Sequence, residues 1–206
     1  LKPEDLVHIG GTANFYRMYQ VYGTKAVTRF RGTHDMDIIS FSQGRVQQVL
    51  DHVRAMPNSP IAGYTVARSV GLSDKKSAYI EFSRTNDPKL STGFEMDIYE
   101  SSSGYIRFND RVLTKDRIIL DPPERLELPE HRGLVGIPSL RDNFIIKMDI
   151  VDYSRSGLRP KDRLDVLVTL RLCSMLGIDF IELVEALKRT CSKQSLLEKL
   201  SALEGL

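Results

Sequence analysis

The sequence predicts an α/β (α+β) fold, in which an N-terminal lobe with a mixed sheet is followed by a C-terminal helical lobe. Short apolar segments typical of strands alternate with helical patterns in the first part of the chain. A stretch rich in proline and charged residues, ending at Pro138, marks a change of character. Beyond it, apolar residues recur at helical spacing. We therefore expect one domain over residues 1–138 and a helical domain over residues 139–206.

The N-terminal lobe begins with an apolar strand, Leu6 to Ile9, which runs directly into a pair of glycines. A helix is expected from Ala13 to about Tyr22. Thr12 is its predicted N-cap, because a threonine hydroxyl can accept a hydrogen bond from a free backbone N–H. Gly23 is its predicted C-terminal stop.

The rest of this lobe alternates between further strands and one amphipathic helix. The helix is expected over residues 45–56, where apolar residues recur at helical spacing: Val46, Val49, Leu50 and Val53. Strands are expected over residues 26–30, 36–41, 64–70, 77–83 and 94–99. Together they predict a mixed sheet with helices packed on one face.

Four helices are expected in the C-terminal lobe. The first covers residues 140–152, with Ser139 and Asp142 in a capping-box-like pattern. The second covers residues 162–176 and closes at Gly177. The third is capped by Asp179, and the fourth starts at Ser192. The side chains that the third helix is expected to bury are Ile181, Leu183, Val184 and Leu187.

Composition excludes several classes of protein. At 206 residues with 41% hydrophobic and 27% charged residues, the chain is long enough to bury a proper core. The net charge of +2 gives no general basic field for nucleic acid. Two cysteines suggest neither a disulfide framework nor a zinc site. The chain has no run of 18 apolar residues and no signal-like start, so we expect no membrane association and a cytoplasmic location.

Asp35 and Asp37 are the strongest functional candidates. They lie two positions apart in a strand-like segment, so both carboxylates point to the same face of a sheet. Two such charges repel each other unless a cation joins them, and Mg²⁺ is commonly held by one or two carboxylates plus substrate phosphates. Gly10 and Gly11 would let the backbone approach a phosphate closely. The pattern predicts a metal-dependent enzyme that acts on a nucleoside triphosphate; the alternative is a strand end with solvated acids.

This arrangement resembles the polymerase-beta-like nucleotidyltransferase superfamily, which has a small-residue turn before a helix and Asp-x-Asp on the next strand. Within it, the chain looks most like the AbiEii-type toxin nucleotidyltransferases. The motif residues are Gly10-Gly11-Thr12-Ala13, Arg31-x-Thr33-x-Asp35-x-Asp37, then Lys147, Arg155 and Lys161-Asp162-x-x-Asp165. Many superfamily members have Gly-Ser where this chain has Gly11-Thr12, although threonine also offers a hydroxyl.

The resemblance implies roles for further residues. Asp97 would be the third metal-binding carboxylate, beside Asp35 and Asp37. Lys147 would contact the triphosphate together with Gly10, Gly11 and Thr12, and either Asp162 or Asp165 would reach the active site. Arg29 and Arg31, which precede the acids, would neutralise the site or touch the acceptor. Ordinary interpretations compete with each role: a polar strand face for Asp97, a surface lysine for Lys147, and helix-dipole acids for Asp162 and Asp165.

The implied activity is Mg²⁺-dependent transfer of NMP from an NTP to an acceptor hydroxyl, with release of pyrophosphate. The resemblance further implies RNA, with tRNA foremost, as the acceptor, and a toxin that an antitoxin protein neutralises; a protein acceptor is a variant of this interpretation. One alternative is a small-molecule enzyme of the antibiotic-modifying type, which would need an acidic pocket for a cationic acceptor. Another is a non-catalytic module that binds a nucleotide or a protein partner.

Overall fold

The computed structural model describes most of the chain. The described residues are 6–26, 35–40, 44–55, 64–71, 77–84, 93–100, 105–108, 111–114, 124–127, 134–149, 151, 157–204 and 206. In order, the elements are β1 (Leu6–Ile9), α1 (Gly10–Tyr22), β2 (Asp35–Ser40), α2 (Arg45–Ala55), β3 (Tyr64–Gly71), β4 (Ser77–Arg84), β5 (Phe94–Glu100), β6 (Tyr105–Phe108), β7 (Arg111–Thr114), β8 (Glu124–Glu127), β9 (Leu134–Ile137), α3 (Leu140–Asp149), α4 (Pro160–Met175), α5 (Phe180–Thr190) and α6 (Lys193–Glu204).

A mixed sheet forms the centre of the molecule, as the sequence predicts. Among the described residues, seven strands join it in the order β3-β4-β5-β2-β1-β9-β8. The pairs β2–β5 and β1–β9 are parallel, and the other neighbours are antiparallel. Strands β6 and β7 form a separate hairpin ladder. The parallel β2–β5 pair lies in the middle of the sheet and determines where the acidic residues meet.

Helix α2 covers one face of the sheet. Its buried residues are those predicted from helical spacing, Val46, Val49, Leu50 and Val53. They pack with apolar residues of β2, β4 and β5, among them Ile38, Ile80 and Ile98. On β2 the residues of this face are Met36, Ile38 and Ser40, so alternation turns Asp35 and Asp37 to the opposite face.

The C-terminal helices form a second core together with α1. Buried residues of α3, α4 and α5, including Phe144, Leu172 and Leu187, pack with Met18 of α1. Arg17, which is also buried, donates hydrogen bonds from α1 to Glu124 of β8 at 2.7 Å and to the Pro138 carbonyl at 3.0 Å. Helix α1 therefore links the sheet to the helices. The division into domains at Pro138 remains a prediction.

Several sequence predictions about the elements are confirmed by local contacts. The Ser139 hydroxyl accepts the Asp142 N–H at the start of α3. The Asp179 carboxylate accepts the Ile181 N–H at 2.9 Å at the start of α5. Gly23 and Gly177 have positive φ angles after α1 and α4. Among the described helices, none has the length and hydropathy to span a membrane.

Other predictions about the elements were wrong. Helix α1 starts at Gly10 rather than Ala13, with Ile9 at its N-cap, so Thr12 lies inside the helix and does not cap it. Ala26 is helical rather than in a strand; residues 27–34 lie outside the described part of the chain. Ile181 is 67% exposed, because it occupies the outer face of α5 next to its cap. Strands β6, β7, β8 and β9 were not predicted, since each has only four residues, too few for a clear alternating pattern.

Candidate active site

The parallel pairing of β2 and β5 brings Asp37 and Asp97 side by side. They are direct register partners in neighbouring strands, so their side chains leave the same face of the sheet. Asp35 is two residues before Asp37 and shares this face. The sequence placed Asp35 and Asp37 on one face from alternation alone. The position of Asp97 depends on the β2–β5 pairing, which one strand by itself does not reveal.

Crowding of these carboxylates changes their acidity. Burial, followed by the neighbouring charge of Asp97, raises the pKa of Asp37 to about 6, while Lys147 and Lys161 act in the opposite direction. Burial also raises the pKa of Asp97 to about 6, with further contributions from Glu95 and Asp35. Ionising both acids is therefore costly, first because they are buried and then because nearby carboxylates repel each other. A divalent cation would relieve the repulsion.

Gly10 lies directly against the acidic cluster. It joins β1 to α1 with a φ of +66°, a conformation that L side chains rarely adopt. A Cβ at this position would lie 3.1 Å from Asp37 Oδ2 and 3.8 Å from Lys147 Nζ. The absence of a side chain therefore lets the start of α1 approach both the Asp37 carboxylate and the Lys147 ammonium. Free backbone N–H groups at this helix N-terminus are suited to bind an anion.

Gly11 and Thr12 continue the first turn of α1 and are both buried. The Thr12 hydroxyl donates a long hydrogen bond of 3.4 Å to the Asp35 carbonyl. The hydroxyl therefore links α1 to β2. The predicted contribution of Gly10, Gly11 and Thr12 to phosphate binding remains a prediction for their backbone N–H groups.

Lys147 is a buried lysine between two buried acids of α4. Its Nζ lies 2.7 Å from Asp165 Oδ2 and 3.6 Å from Asp162 Oδ1. Both aspartates are fully inaccessible, and Arg159 forms a further ion pair with Asp162. The structure thus brings both Asp162 and Asp165 to Lys147, where the sequence had left the choice between them open. Lys147 is 7% exposed, so it is not the surface lysine of the ordinary interpretation.

A buried polar network fixes α1 against α3 and α4 behind this lysine. The Asn14 amide donates to the Asp165 carbonyl at 3.0 Å. Its oxygen accepts hydrogen bonds from Asn143 at 2.7 Å and from the Thr169 hydroxyl at 2.9 Å. Both donors and acceptors of a buried amide are costly to leave unpaired, so this network favours a single alignment of the three helices.

Lys161 faces the acids from the opening of the site. It lies in the first turn of α4, and its Nζ is 2.9 Å from Asp35 Oδ2. The pair is much more accessible than the Lys147 pair, with about 45% of each side chain exposed. Among the described residues, the carboxylates thus have a buried lysine, Lys147, and an accessible lysine, Lys161, close to them.

The acidic face extends beyond the three aspartates towards the edge of the sheet. Glu95 of β5 is paired in register with Glu81 of β4, and Asp97 with Tyr79. Burial and a hydrogen bond to Glu95 raise the pKa of Tyr79 to about 12. Burial and the charges of Asp97 and Asp37 also raise the pKa of Tyr99. The part of the face next to the cluster is thus lined by carboxylates and phenols.

Four of the residues that the sequence analysis singled out lie outside the described part of the chain: Arg29, Arg31, Thr33 and Arg155. Among the residues that the structure does describe, no three His, Cys, Asp or Glu side chains are already gathered at one metal position. The metal-binding role of Asp35, Asp37 and Asp97 therefore remains a prediction, supported by their common face and their mutual repulsion.

Comparisons with known proteins give low similarities. No protein-family model matches this sequence, and no curated protein matches it. The antibiotic-resistance factor ANT(2'')-Ia is 14% identical over 97% of this chain and 85% of that one, with a TM-score of 0.45. An antigenic nucleotidyltransferase-like protein from Paracoccidioides brasiliensis is 16% identical over 97% and 84%, with a TM-score of 0.47. The nucleotidyltransferase toxin MenT4 from Mycobacterium tuberculosis is 15% identical over 98% and 85%, with a TM-score of 0.40.

Sequence reasoning gave no role to Lys161, Arg159 or Asn14, although each carries a signal. Arg159 and Lys161 flank Pro160 at the start of α4, where a positive charge opposes the helix dipole. Asn14 lies in the second turn of α1, where asparagine is a poor helix former. Lys161 and Asn14 have partners far away in the sequence, Asp35 and Asp165, whereas Arg159 pairs with Asp162 three residues further on.

Proposed function

We propose that this chain is a divalent-metal-dependent nucleotidyltransferase, of the AbiEii-like type that the sequence motifs indicate. The observation that carries the proposal is one constellation. Asp37 is paired with Asp97, is two residues from Asp35, and lies against Gly10 at the start of α1. It combines a carboxylate cluster with a helix N-terminus and a buried lysine, which are the groups that bind a metal–triphosphate complex.

The residues present are suited to hold Mg²⁺. Asp35, Asp37 and Asp97 offer the carboxylate oxygens that this ion prefers. Burial and neighbouring negative charges raise the pKa values of Asp37 and Asp97, which supports the proposal that a cation would bind beside them. When bound, the metal would supply charge stabilisation for the attacking and leaving oxygens.

The chain's own groups perform the remaining tasks. The backbone at Gly10 and Gly11 would bind triphosphate oxygens, and Lys147, held beside Gly10 by Asp165, would add a fixed positive charge. Asp97 would accept the proton of the acceptor hydroxyl as the general base. The acceptor oxygen would form a bond to the α-phosphorus, and the bond from that phosphorus to the bridging oxygen would break, releasing pyrophosphate.

RNA is the first candidate acceptor, with tRNA as the class that the motif resemblance implies. An RNA-directed enzyme of this type would act as a toxin and would need an antitoxin partner. The basic residues expected to contact RNA are Lys25, Arg29 and Arg31. Of these, Lys25 is described and exposed. Salt-sensitive labelling of RNA would support this candidate.

A cationic small molecule is the second candidate acceptor, because the described surface beside the reaction centre is acidic. Glu95 lies two residues before Asp97 on β5, and Glu81 is the register partner of Glu95 on β4, so both share the face of Asp97. An RNA phosphate placed there would be repelled, whereas ammonium groups would be attracted.

Nucleotide transfer can be tested directly with labelled NTPs. The protein is incubated with Mg²⁺ and each NTP, with tRNA, an aminoglycoside or a protein mixture as acceptor, and the products are identified by mass spectrometry. We expect one acceptor class to gain NMP with wild type and not with Asp37→Asn. Nucleotide binding without transfer to any class would instead favour the non-catalytic alternative.

A further inference from the structure

Lys161 makes the most accessible contact to the acidic cluster that the structure describes. Its ammonium lies 2.9 Å from Asp35 Oδ2, and 45% of the lysine side chain is exposed. Its charge also reaches Asp37, whose pKa it lowers. One flexible cation thus serves two of the carboxylates that the proposed function assigns to the metal.

The position of Lys161 is not explained by the stability of α4. A positive charge in the first turn of a helix opposes the macrodipole, and the neighbouring Asp162 already supplies the favourable charge there. An exposed ion pair also adds little to folding. Lys147, in contrast, is buried and held between Asp162 and Asp165. Lys161 is therefore the cation at this site that can move away without uncovering a buried charge.

We propose that Lys161 is an exchangeable counter-ion, which binds Asp35 in the metal-free protein and turns to the triphosphate once Asp35 binds metal. This inference rests on the metal site of the proposed function. The ammonium and the metal are attracted to the same carboxylate, and the two cations repel each other there. Metal binding to Asp35 would therefore weaken its ion pair with Lys161. A lysine on a flexible four-carbon stem with three donors can follow a phosphate over several ångströms.

Removing the charge of Lys161 should change the affinity for the metal and the affinity for the triphosphate in opposite directions. Removing the charge takes away a competitor for the metal but also a partner for the triphosphate. Lys161→Met is the test variant, and Lys161→Arg keeps the charge. Arg171→Met is the matched control, because it removes one exposed positive charge from the same helix, about 15 Å further along its axis.

The measurement uses Mn²⁺ alone first, with the free ion followed by electron paramagnetic resonance. The second step is calorimetric titration of the Mg²⁺ complexes of non-hydrolysable NTP analogues. For Lys161→Met we expect Mn²⁺ affinity to rise about two- to fivefold, the range for loss of a competing exposed ion pair. Its affinity for the analogue should fall about tenfold, as for loss of a charge-assisted contact. Lys161→Arg and Arg171→Met should resemble wild type in both titrations.

The possible outcomes separate this inference from the proposed function. Wild type that binds Mn²⁺ through Asp37, together with a Lys161→Met variant of equal or weaker Mn²⁺ affinity, overturns the exchange and leaves the metal site standing. An unchanged analogue affinity overturns the second half in the same way. If wild type and Asp37→Asn show the same Mn²⁺ binding, the metal site itself is wrong, and the exchange with it.

Discussion

Gly10 is the residue at which backbone conformation and chemistry meet most closely. Its positive φ and its close approach to Asp37 and Lys147 both favour glycine, and substitution can separate the two effects. The positive φ affects only the stability of the fold. The close approach affects the space between the start of α1, the Asp37 carboxylate and the Lys147 ammonium.

Gly10→Ala should therefore lose both stability and nucleotide transfer. The strained φ should cost about 1–2 kcal/mol of unfolding free energy, and the added methyl group would press on the Asp37 carboxylate, which we expect to reduce transfer by about 100-fold or more. Gly23→Ala is the matched control, because Gly23 has a φ of +59° with no atom within 4 Å of the added Cβ. It should lose similar stability in urea unfolding while keeping full activity. Equal losses of activity in both variants would contradict a specific role for Gly10.

The acidity of Asp37 gives a prediction about pH and stability. Its pKa is raised to about 6 in the folded protein, so the native state favours the protonated form. Below the ordinary aspartate pKa near 4, Asp37 makes its full contribution to the free energy of unfolding. This contribution is lost as the pH rises through about 6. In a metal chelator, Asp37→Asn should thus be more stable than wild type at pH 7.5, with the difference disappearing at pH 4. Thermal unfolding across this range measures it; a wild type that is the more stable at pH 7.5 would contradict the crowding of the acids.

At the scale of the elements, α1, α3 and α4 meet around Lys147. The ion pair with Asp165 is buried, and Asn14 ties α1 to the same turn of α4. Lys147 therefore stabilises the packing of the three helices, in addition to its proposed contact with the triphosphate. Substitution by alanine would therefore mix loss of triphosphate binding with loss of folding, and Lys147→Arg is the better variant for nucleotide titration.

Lys147→Met should lower the unfolding free energy by about 3–5 kcal/mol, because it removes the cation that pairs with the buried carboxylate of Asp165. The double variant Lys147→Met/Asp165→Asn should lose less than the sum of the losses of Lys147→Met and Asp165→Asn, since it removes both charges of the pair. Lys188→Met is the control, as Lys188 pairs with Glu185 on the exposed surface and should change stability by less than about 1 kcal/mol. Urea unfolding of the four variants gives the comparison. Additive losses would show that Lys147 and Asp165 do not interact as the structure indicates.

The extent to which sequence predicts these elements depends on the range of the interactions involved. Helix α2 follows from the spacing of Val46, Val49, Leu50 and Val53, and the start of α5 from Asp179, because both signals are local. Asp35 and Asp37 share a face by simple alternation. The ion pairs of Lys147 and Lys161 join residues far apart in sequence, and the start of α1 depends on a glycine conformation that the sequence permits without requiring it.

At the scale of the whole molecule, charge is unevenly distributed although the net charge is only +2. The side of the site formed by β4 and β5 is acidic, while Lys147, Lys161 and Arg159 lie on the helical side. The triphosphate would accordingly bind towards the helices. The acceptor would approach over the sheet.

The double variant Glu81→Gln/Glu95→Gln should distinguish the two acceptor classes. For a cationic acceptor, we expect kcat/KM to fall about tenfold and its salt dependence to flatten, because two attractive charges are lost. For tRNA, transfer should stay unchanged or rise. Affinity for the NTP should be equal to wild type in either case, and Glu185→Gln serves as a control on the exposed surface of α5. Reduced transfer to tRNA in the double variant would contradict the charge argument.

The central claim is that Asp35, Asp37 and Asp97 hold a metal that binds the triphosphate. Calorimetric titration of NTPs into wild type and Asp37→Asn, each with Mg²⁺ and with a chelator, tests it most directly because it needs no acceptor. We predict that wild type binds an NTP only when Mg²⁺ is present, and that Asp37→Asn loses at least about 100-fold in affinity while remaining folded. Equal NTP binding with and without Mg²⁺, or undiminished binding by Asp37→Asn, would contradict the claim.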